Sequence, residues 1–302
     1  MALAATARDY EIILVDDRSP DRCWDVMKEL ADQYPQLVAV RLSRNFGQHY
    51  ALTAGLDIAR GDWTVVMDCD LQDQPEDIPR LLAAAEQGYD IVLARRRMRN
   101  DTLFKTVLSR LFYWMFNILS GYRLDPAVGS FRIMRRQVVE AYRQMREAPR
   151  LFGGMIEWLG FATSYVDVDR APRYDGHSSY NLAALARLSI EGIVSFSNRP
   201  LYLSIMAGIL ISILSGGFGT FLLVRYFLHP LIGVPGWLST ITLTAFLGGF
   251  ILLNLGILGI YVGRIYDQTK ARPLYVIDRV VTMQPAPQPP HHAVETLEGG
   301  IC

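Results

Sequence analysis

The segment DCDLQD, Asp68 to Asp73, carries the sharpest chemistry in the chain. Asp68 and Asp70 are two carboxylates separated by a single residue, close enough to share one hard divalent cation, and Gln72 offers a neutral oxygen two positions on. An oxygen-only donor set suits Mg2+ or Mn2+, ions that neutralise charge on a departing phosphate group. Taken alone, an Asp-x-Asp is equally the composition of a solvated turn. Its place after the β-branched run Val65-Val66 and before Pro75 argues for a site. Two further loops carry similar potential. In VDDRSPD, Val15 to Asp21, Asp16 and Asp17 can accept hydrogen bonds from a nucleobase or ribose, the alternative being a capping turn in which Ser19 starts a helix. In LSRNFG, Leu42 to Gly47, Arg44 can pair with a phosphate or a pocket carboxylate. Asn45 has donors and acceptors for a sugar, and Gly47 permits close backbone approach.

The elements that must position these loops read as alternating strands and helices. Strands are predicted at Glu11–Val15, Val38–Leu42, Trp63–Met67 and Ile91–Ala94, and helices at Cys23–Tyr34, Phe46–Ala59 and Pro75–Gln87, the last opened by Pro75 and stopped by Gly88. Such alternation, continued to about Asp169, predicts a nucleotide-binding α/β domain with a mostly parallel sheet flanked by helices. All three polar loops follow a strand directly, on the side where open α/β sheets bind their ligands.

The second half is of another kind. Leu201–Val224 and Leu238–Gly263 contain no charged residue, and the first, as a helix, would be about 36 Å long. A hydrocarbon core is about 30 Å thick, so both segments are predicted to span a bilayer. Arg187, Arg199, Arg264, Lys270 and Arg272 flank them on one side, against Arg225 in the connector, which predicts both termini in the cytoplasm. Asn181–Asn198, with Leu182, Leu185, Leu188, Ile190 and Ile193 at helical spacing, reads as an amphipathic helix lying in the interface. Leu103–Leu119 has a similar stripe, with ordinary core packing as its alternative. The glycines of both spans predict close helix packing, within the pair or between subunits of a homo-oligomer. Expected boundaries are a cytoplasmic domain over 1–180, the interfacial helix over 181–199, the membrane domain over 200–264, and a cytoplasmic tail over 265–302, disordered after about 281. Basic and acidic residues are equal at 30 each, which gives no case for a nucleic-acid binder, and three scattered cysteines fit neither a disulfide framework nor a zinc knuckle.

DDRSPD, LSRNFGQHYALTAGLD, DCDLQD, GSFRIM (Gly129–Met134), PRYDGHSSY (Pro172–Tyr180) and YVGRIYDQTKARPLY (Tyr261–Tyr275), in this order, are similar to the motifs of the polyprenyl-phosphate glycosyltransferases of the glycosyltransferase family 2 type. The resemblance covers about Tyr10 to Val280. It implies a GT-A fold, a cytoplasmic catalytic domain at the inner membrane, a nucleotide-sugar donor, a polyprenyl phosphate acceptor and a divalent cation. Carried over by motif, Asp17 would meet the nucleotide base, Asp68 the donor ribose or diphosphate, and Asp70 with Gln72 the metal. Arg132 and Arg173 would hold phosphates, with His177, Ser178 and Tyr180 in the adjoining loop.

Three departures from the pattern accompany the resemblance. The family's opening strand and acidic loop have no counterpart before Tyr10, so either the start lies upstream or part of the donor site is lost. Ser130 stands where the family often has aspartate, and Ser179 stands where it has lysine, with His177 as the local substitute. A fold retained without donor binding, serving as a membrane scaffold or partner subunit, is the alternative to an enzyme.

Overall fold

Strand β2, Leu37–Leu42, is buried along nearly its whole length, and its two faces meet different helices. Leu37 and Ala39 point toward Trp24, Met27 and Ala31 of helix α1, Cys23–Gln33. Val38, Val40 and Leu42 point toward Ala54 and Ile58 of helix α2, Gln48–Ile58. A period-2 alternation between two apolar faces is what a strand covered on both sides requires. The computed structural model describes residues 9–96, 127–148, 150–169, 197–228 and 236–283. The interfacial helix expected at 103–119, and all but the last two residues of the one expected at 181–198, therefore lie outside the described residues.

Beside β2 runs β1, Ile12–Asp16, in parallel, with Ile12 opposite Leu37 and Asp16 opposite Arg41. The second sheet holds β3, Trp63–Val66, β4, Ile91–Arg96, β5, Val128–Arg135, and β6, Thr163–Val168, in the spatial order β3-β5-β4-β6. Helix α3, Ile78–Ala85, follows a single 3-10 turn at Pro75–Asp77 and places Ile78, Leu81 and Ala85 against Val92, Ala94, Phe131, Ile133 and Val168. After β5 come α4, Arg136–Gln144, and α5, Phe152–Trp158.

The expectation of one mostly parallel sheet needs correction. Among the described residues there are two sheets, with two parallel pairings and three antiparallel ones. The reason is that β5 enters between β3 and β4 and runs antiparallel to both. The remaining strand, β7, Ile277–Thr282, lines the free side of β2, also antiparallel. Neither β1 nor β3 has a strand on its other side among the described residues. Side chains tie their starts instead: Glu11, just before β1, accepts from the Arg60 backbone N–H at 2.6 Å and from its guanidinium at 3.1 Å.

β7 belongs to the same compact unit as the two sheets, although it follows the membrane segments in the chain. The stretch leading into it is fixed by Tyr275, which is 3% exposed and packs in the α2 cluster. The Tyr275 hydroxyl donates at 2.6 Å to Asp57, whose carboxylate also takes a two-pronged ion pair from Arg146 at 2.7 and 3.0 Å. Burial, then the Asp57 charge, push the Tyr275 phenol far above its ordinary range, so it stays protonated and donates to Asp57. Arg143 donates to the carbonyl of Leu56 at 2.7 Å and to that of Ala59, closing the end of α2.

The second unit contains α6, Arg199–Leu228, and α7, Trp237–Thr269. Both are long and apolar enough to cross a membrane, and the qualifying windows are not buried inside the molecule. Phe227, Leu252 and Met206 are at least two-thirds exposed, a state that water would penalise and lipid would not. The chain is accordingly membrane-associated. Asn254, inside the second span, donates at 2.8 Å to the Phe250 carbonyl of its own helix. Tyr261 donates at 2.8 Å to the carbonyl of Ser197, joining α7 to the approach to α6. A Cβ built on the described span glycines would meet nothing within 4 Å, so packing within the pair is not what those glycines do here.

The Asp57 cluster yields the first prediction. Replacing Tyr275 with Phe removes one hydrogen bond to a buried carboxylate, so the detergent-solubilised chain should lose about 1.5 kcal/mol of stability. Thermal unfolding is the check, and an unchanged transition would contradict the assigned contact.

Candidate active site

β1 ends at Asp16, and the two consecutive aspartates have different duties. Asp16 is 2% exposed; it accepts from the Ser19 backbone N–H at 2.8 Å and faces the Arg41 guanidinium at 3.3 Å. Arg41 in turn lies 5.4 Å over the Trp24 ring. Asp16 thus closes its own turn, and Ser19 contributes its backbone there. Asp17 reaches across to the next strand end. Its two carboxylate oxygens accept from the backbone N–H groups of Phe46 and Gly47, each at 2.7 Å. Gly47 has φ near 103°, which admits glycine most readily, and this geometry turns both amides toward Asp17.

The loop so held presents Arg44 and Asn45 at the surface, where the Arg44 guanidinium stacks 4.0 Å over the Phe46 ring. Helix α2 starts at once. Its first side chain, Gln48, donates at 2.9 Å to Asp68. Further along α2, a Cβ on Gly55 would come to 3.3 Å from Val15, so the small residue lets the helix lie close on β1.

Asp68 stands two residues beyond β3, whose last residue, Val66, is paired with Arg132 on β5. The Asp-x-Asp turn then closes on itself: the Gln72 N–H donates to Asp70 at 3.1 Å, and Leu71 takes a left-handed φ of 59°. Gln72 and Asp73 are buried beneath it. Arg132 is 5% exposed and donates to the carbonyls of Gly129 at 2.8 Å and Ser130 at 3.1 Å, with its guanidinium 4.7 Å over the Phe152 ring. Burial lowers its pKa to about 10, while Tyr142, Asp68 and Glu157 act to raise it, so it remains cationic at neutral pH. The fold therefore gathers Asp17, Gln48, Asp68, Asp70 and Gln72 around three strand ends, with a buried positive charge nearby.

Arg173, His177, Ser178 and Tyr180 lie outside the described residues. Ser130 is half-buried on β5, and its carbonyl is taken by Arg132. Among the described residues no group of three or more histidines, cysteines, aspartates and glutamates could hold a metal. What the turn offers is a pair of hard carboxylates with an amide oxygen close in sequence. That set fits Mg2+, which keeps several waters and commonly takes only one or two protein carboxylates along with substrate phosphates.

With this geometry in view, the comparisons with known proteins are decisive. The description "Glycosyl transferase family 2" matches residues 2–143. An uncharacterized glycosyltransferase of Synechocystis is 40% identical over 89% of this chain and 84% of its own. The chain belongs to glycosyl transferase family 2. The putative glycosyltransferase CsbB of Bacillus subtilis is 36% identical over 89% of this chain and 82% of its own. The bactoprenol glucosyl transferase of Shigella phage SfX is 38% identical over 89% of this chain and 88% of its own. Membership of the family carries a GT-A-like fold and glycosyltransferase activity.

Sequence inspection did not single out Gln48 as a site residue. Gln48 sits inside the LSRNFGQHYALTAGLD motif, and its position at a helix start directly after a strand-end loop was the available signal.

The Asp17 clamp is open to direct measurement. In an Asp17→Ala variant the amides of Phe46 and Gly47 lose a charged acceptor, and their hydrogen exchange should quicken about tenfold or more. Exchange at the wild-type rate would mean that the loop does not depend on Asp17.

Proposed function

We propose that this chain transfers a single sugar from a UDP- or GDP-linked donor to a polyprenyl phosphate, with inversion, at the cytoplasmic face of the inner membrane. The observation that carries this reading is the likeness to bactoprenol glucosyl transferases along nearly the whole chain, spans included. The acid-lined strand ends are chemically consistent with it.

In the proposed reaction a phosphate oxygen of the lipid attacks the anomeric carbon, the carbon–oxygen bond to the nucleoside diphosphate breaks, and the diphosphate leaves. A phosphate monoester has its second pKa near 6, about as for a phosphorylated side chain, so the nucleophile is already largely ionised at neutral pH. A general base is then dispensable, and Ser130 in place of a carboxylate is no obstacle. Asp68, Asp70 and Gln72 would hold Mg2+ or Mn2+. When bound, the cation supplies charge neutralisation on the leaving diphosphate.

The remaining work is positioning. Asp17 holds the 43–47 loop, which brings Arg44 and Asn45 to the donor, and Asp16 stiffens the turn beside it. Arg132 adds a buried positive potential beneath the phosphates. Arg173, with His177, Ser178 and Tyr180, is assigned to the lipid phosphate. The two spans cross the inner membrane with the catalytic domain and both termini cytoplasmic, and the glycine-rich spans suit a homo-oligomer.

Turnover by the purified full chain should stop with EDTA and return with Mn2+. Replacing Asp70 with Ala should cost about a hundredfold or more, the several kcal/mol that a metal centre contributes. Transfer undiminished in that variant would refute the cation site. A thiol label placed in the connector between the spans should react only from the periplasmic side; reaction from the cytoplasm would reverse the assigned orientation.

A further inference from the structure

The register between β2 and β7 slips once, and the slip falls beside the candidate site. Val38 to Arg41 pair in order with Thr282 to Arg279, but Leu42 pairs with Ile277, so Asp278 is left with no residue opposite it. Residues paired across antiparallel strands share a face of the sheet. An unbroken ladder would set Asp278 against Leu42, which is fully buried in the apolar cluster that includes Ala54 and Ile58 of α2. The bulge instead sends Ile277 into that cluster and turns Asp278 out of it.

What Asp278 meets is Arg18, whose Nη1 donates to it at 3.0 Å. β1 and β7 flank β2 on opposite sides, so this ion pair joins the turn after one outer strand to the other outer strand. Arg18 directly follows Asp17 and has a left-handed φ of 60°, a conformation that a non-glycine residue keeps only where its surroundings hold it. Two contacts hold this turn: Asp16 takes the Ser19 N–H at 2.8 Å, and Asp278 takes the Arg18 side chain. A second link lies close by. The Val276 carbonyl accepts from the Ser43 N–H at 2.9 Å, where the chain leaves β2 for the loop bearing Arg44 and Asn45. The far end of that loop is the pair of amides that Asp17 holds at 2.7 Å. The Arg18 and Asp278 side chains are 45% and 36% exposed, and an ion pair this open adds little to global stability; what it fixes is position.

We propose that Asp278 is a positioning residue for the donor site: by way of Arg18 it holds the Asp17 turn, and with it the 43–47 loop, so that the strand following the membrane spans sets the placement of Arg44 and Asn45. That this loop meets a nucleotide rests on the sugar-transfer reading above; the mechanical link does not.

Amide hydrogen exchange of the full chain in detergent, read at Phe46 and Gly47, is the test, with affinity for UDP and GDP as the second readout. Asp278→Ala should quicken exchange at both amides about threefold, a factor within the range of an exposed ion pair, with little change in melting temperature. Arg18→Gly accepts the left-handed turn but cannot reach Asp278, so it should act alike, and the double variant should be no faster than either single one. Reversing the pair, with Arg18→Asp and Asp278→Arg together, should restore the wild-type rate, since aspartate tolerates left-handed backbone. Whichever nucleotide binds the wild-type chain should bind Asp278→Ala about threefold more weakly. Unchanged exchange in Asp278→Ala, effects that add in the double variant, or quickening spread evenly over both sheets would overturn the proposal. Loop exchange that follows the pair as described, in a chain that binds neither UDP nor GDP, would keep Asp278 as the positioning residue of this loop and sink the donor-site reading.

Discussion

Asp57 is a carboxylate with no side-chain exposure, and the arrangement of the catalytic unit follows from matching its charge. An unpaired buried carboxylate would be costly enough to displace the structure around it. Arg146, beyond α4, and Tyr275, beyond the second span, supply the match. Two distant stretches of chain therefore converge on the last turn of one short helix. Arg143 adds its guanidinium to the carbonyls there, and with that end of α2 fixed, the other end is fixed too. That first turn carries Gln48, whose side-chain amide reaches Asp68.

The strand ends pose the opposite problem, because several carboxylates lie close together in water-accessible turns. The fold separates them by use. Asp16 is spent on its own turn and on Arg41, and Asp17 on two backbone amides. Among the described residues, Asp68 accepts from a neutral donor, the Gln48 amide. A neutral partner leaves the carboxylate its charge, which suits a role toward a cation, whereas the ion-paired Asp16 is already balanced. Substitutions at the two kinds of aspartate should therefore differ in character: one kind loosens the fold, and the other removes chemistry.

Much of this was legible in the sequence for physical reasons. Strands at 11–15, 38–42, 63–67 and 91–94 were marked by β-branched runs, and each lies within two residues of the observed bounds. The helix read as running from Pro75 to Gln87 begins as a 3-10 turn and ends earlier, at Ala85, and Gly88 closes the turn after it with φ near 107°. The two spans were plain because lipid imposes a length and forbids charge. The antiparallel strands escaped for a common reason: β5 and β7 carry arginines and an aspartate among their apolar residues, and the partners that make them strands come from far away in the chain. β7 pairs with β2 across more than two hundred residues, a contact with no local signature. The Asp17 clamp was hidden likewise, since a carboxylate that accepts backbone amides has the same sequence as one that waits for a nucleobase.

These features converge on an enzyme whose soluble unit is completed by the segment following its membrane spans. The central claim is that one sugar passes to a lipid monophosphate. Mass spectrometry of the lipid extract, after incubating the purified chain with undecaprenyl phosphate, Mn2+ and a panel of UDP- and GDP-sugars, tests it most directly. The account predicts a new lipid heavier by a single sugar residue with one donor of the panel. An extract unchanged with every donor, or a lipid carrying several sugars, would contradict it.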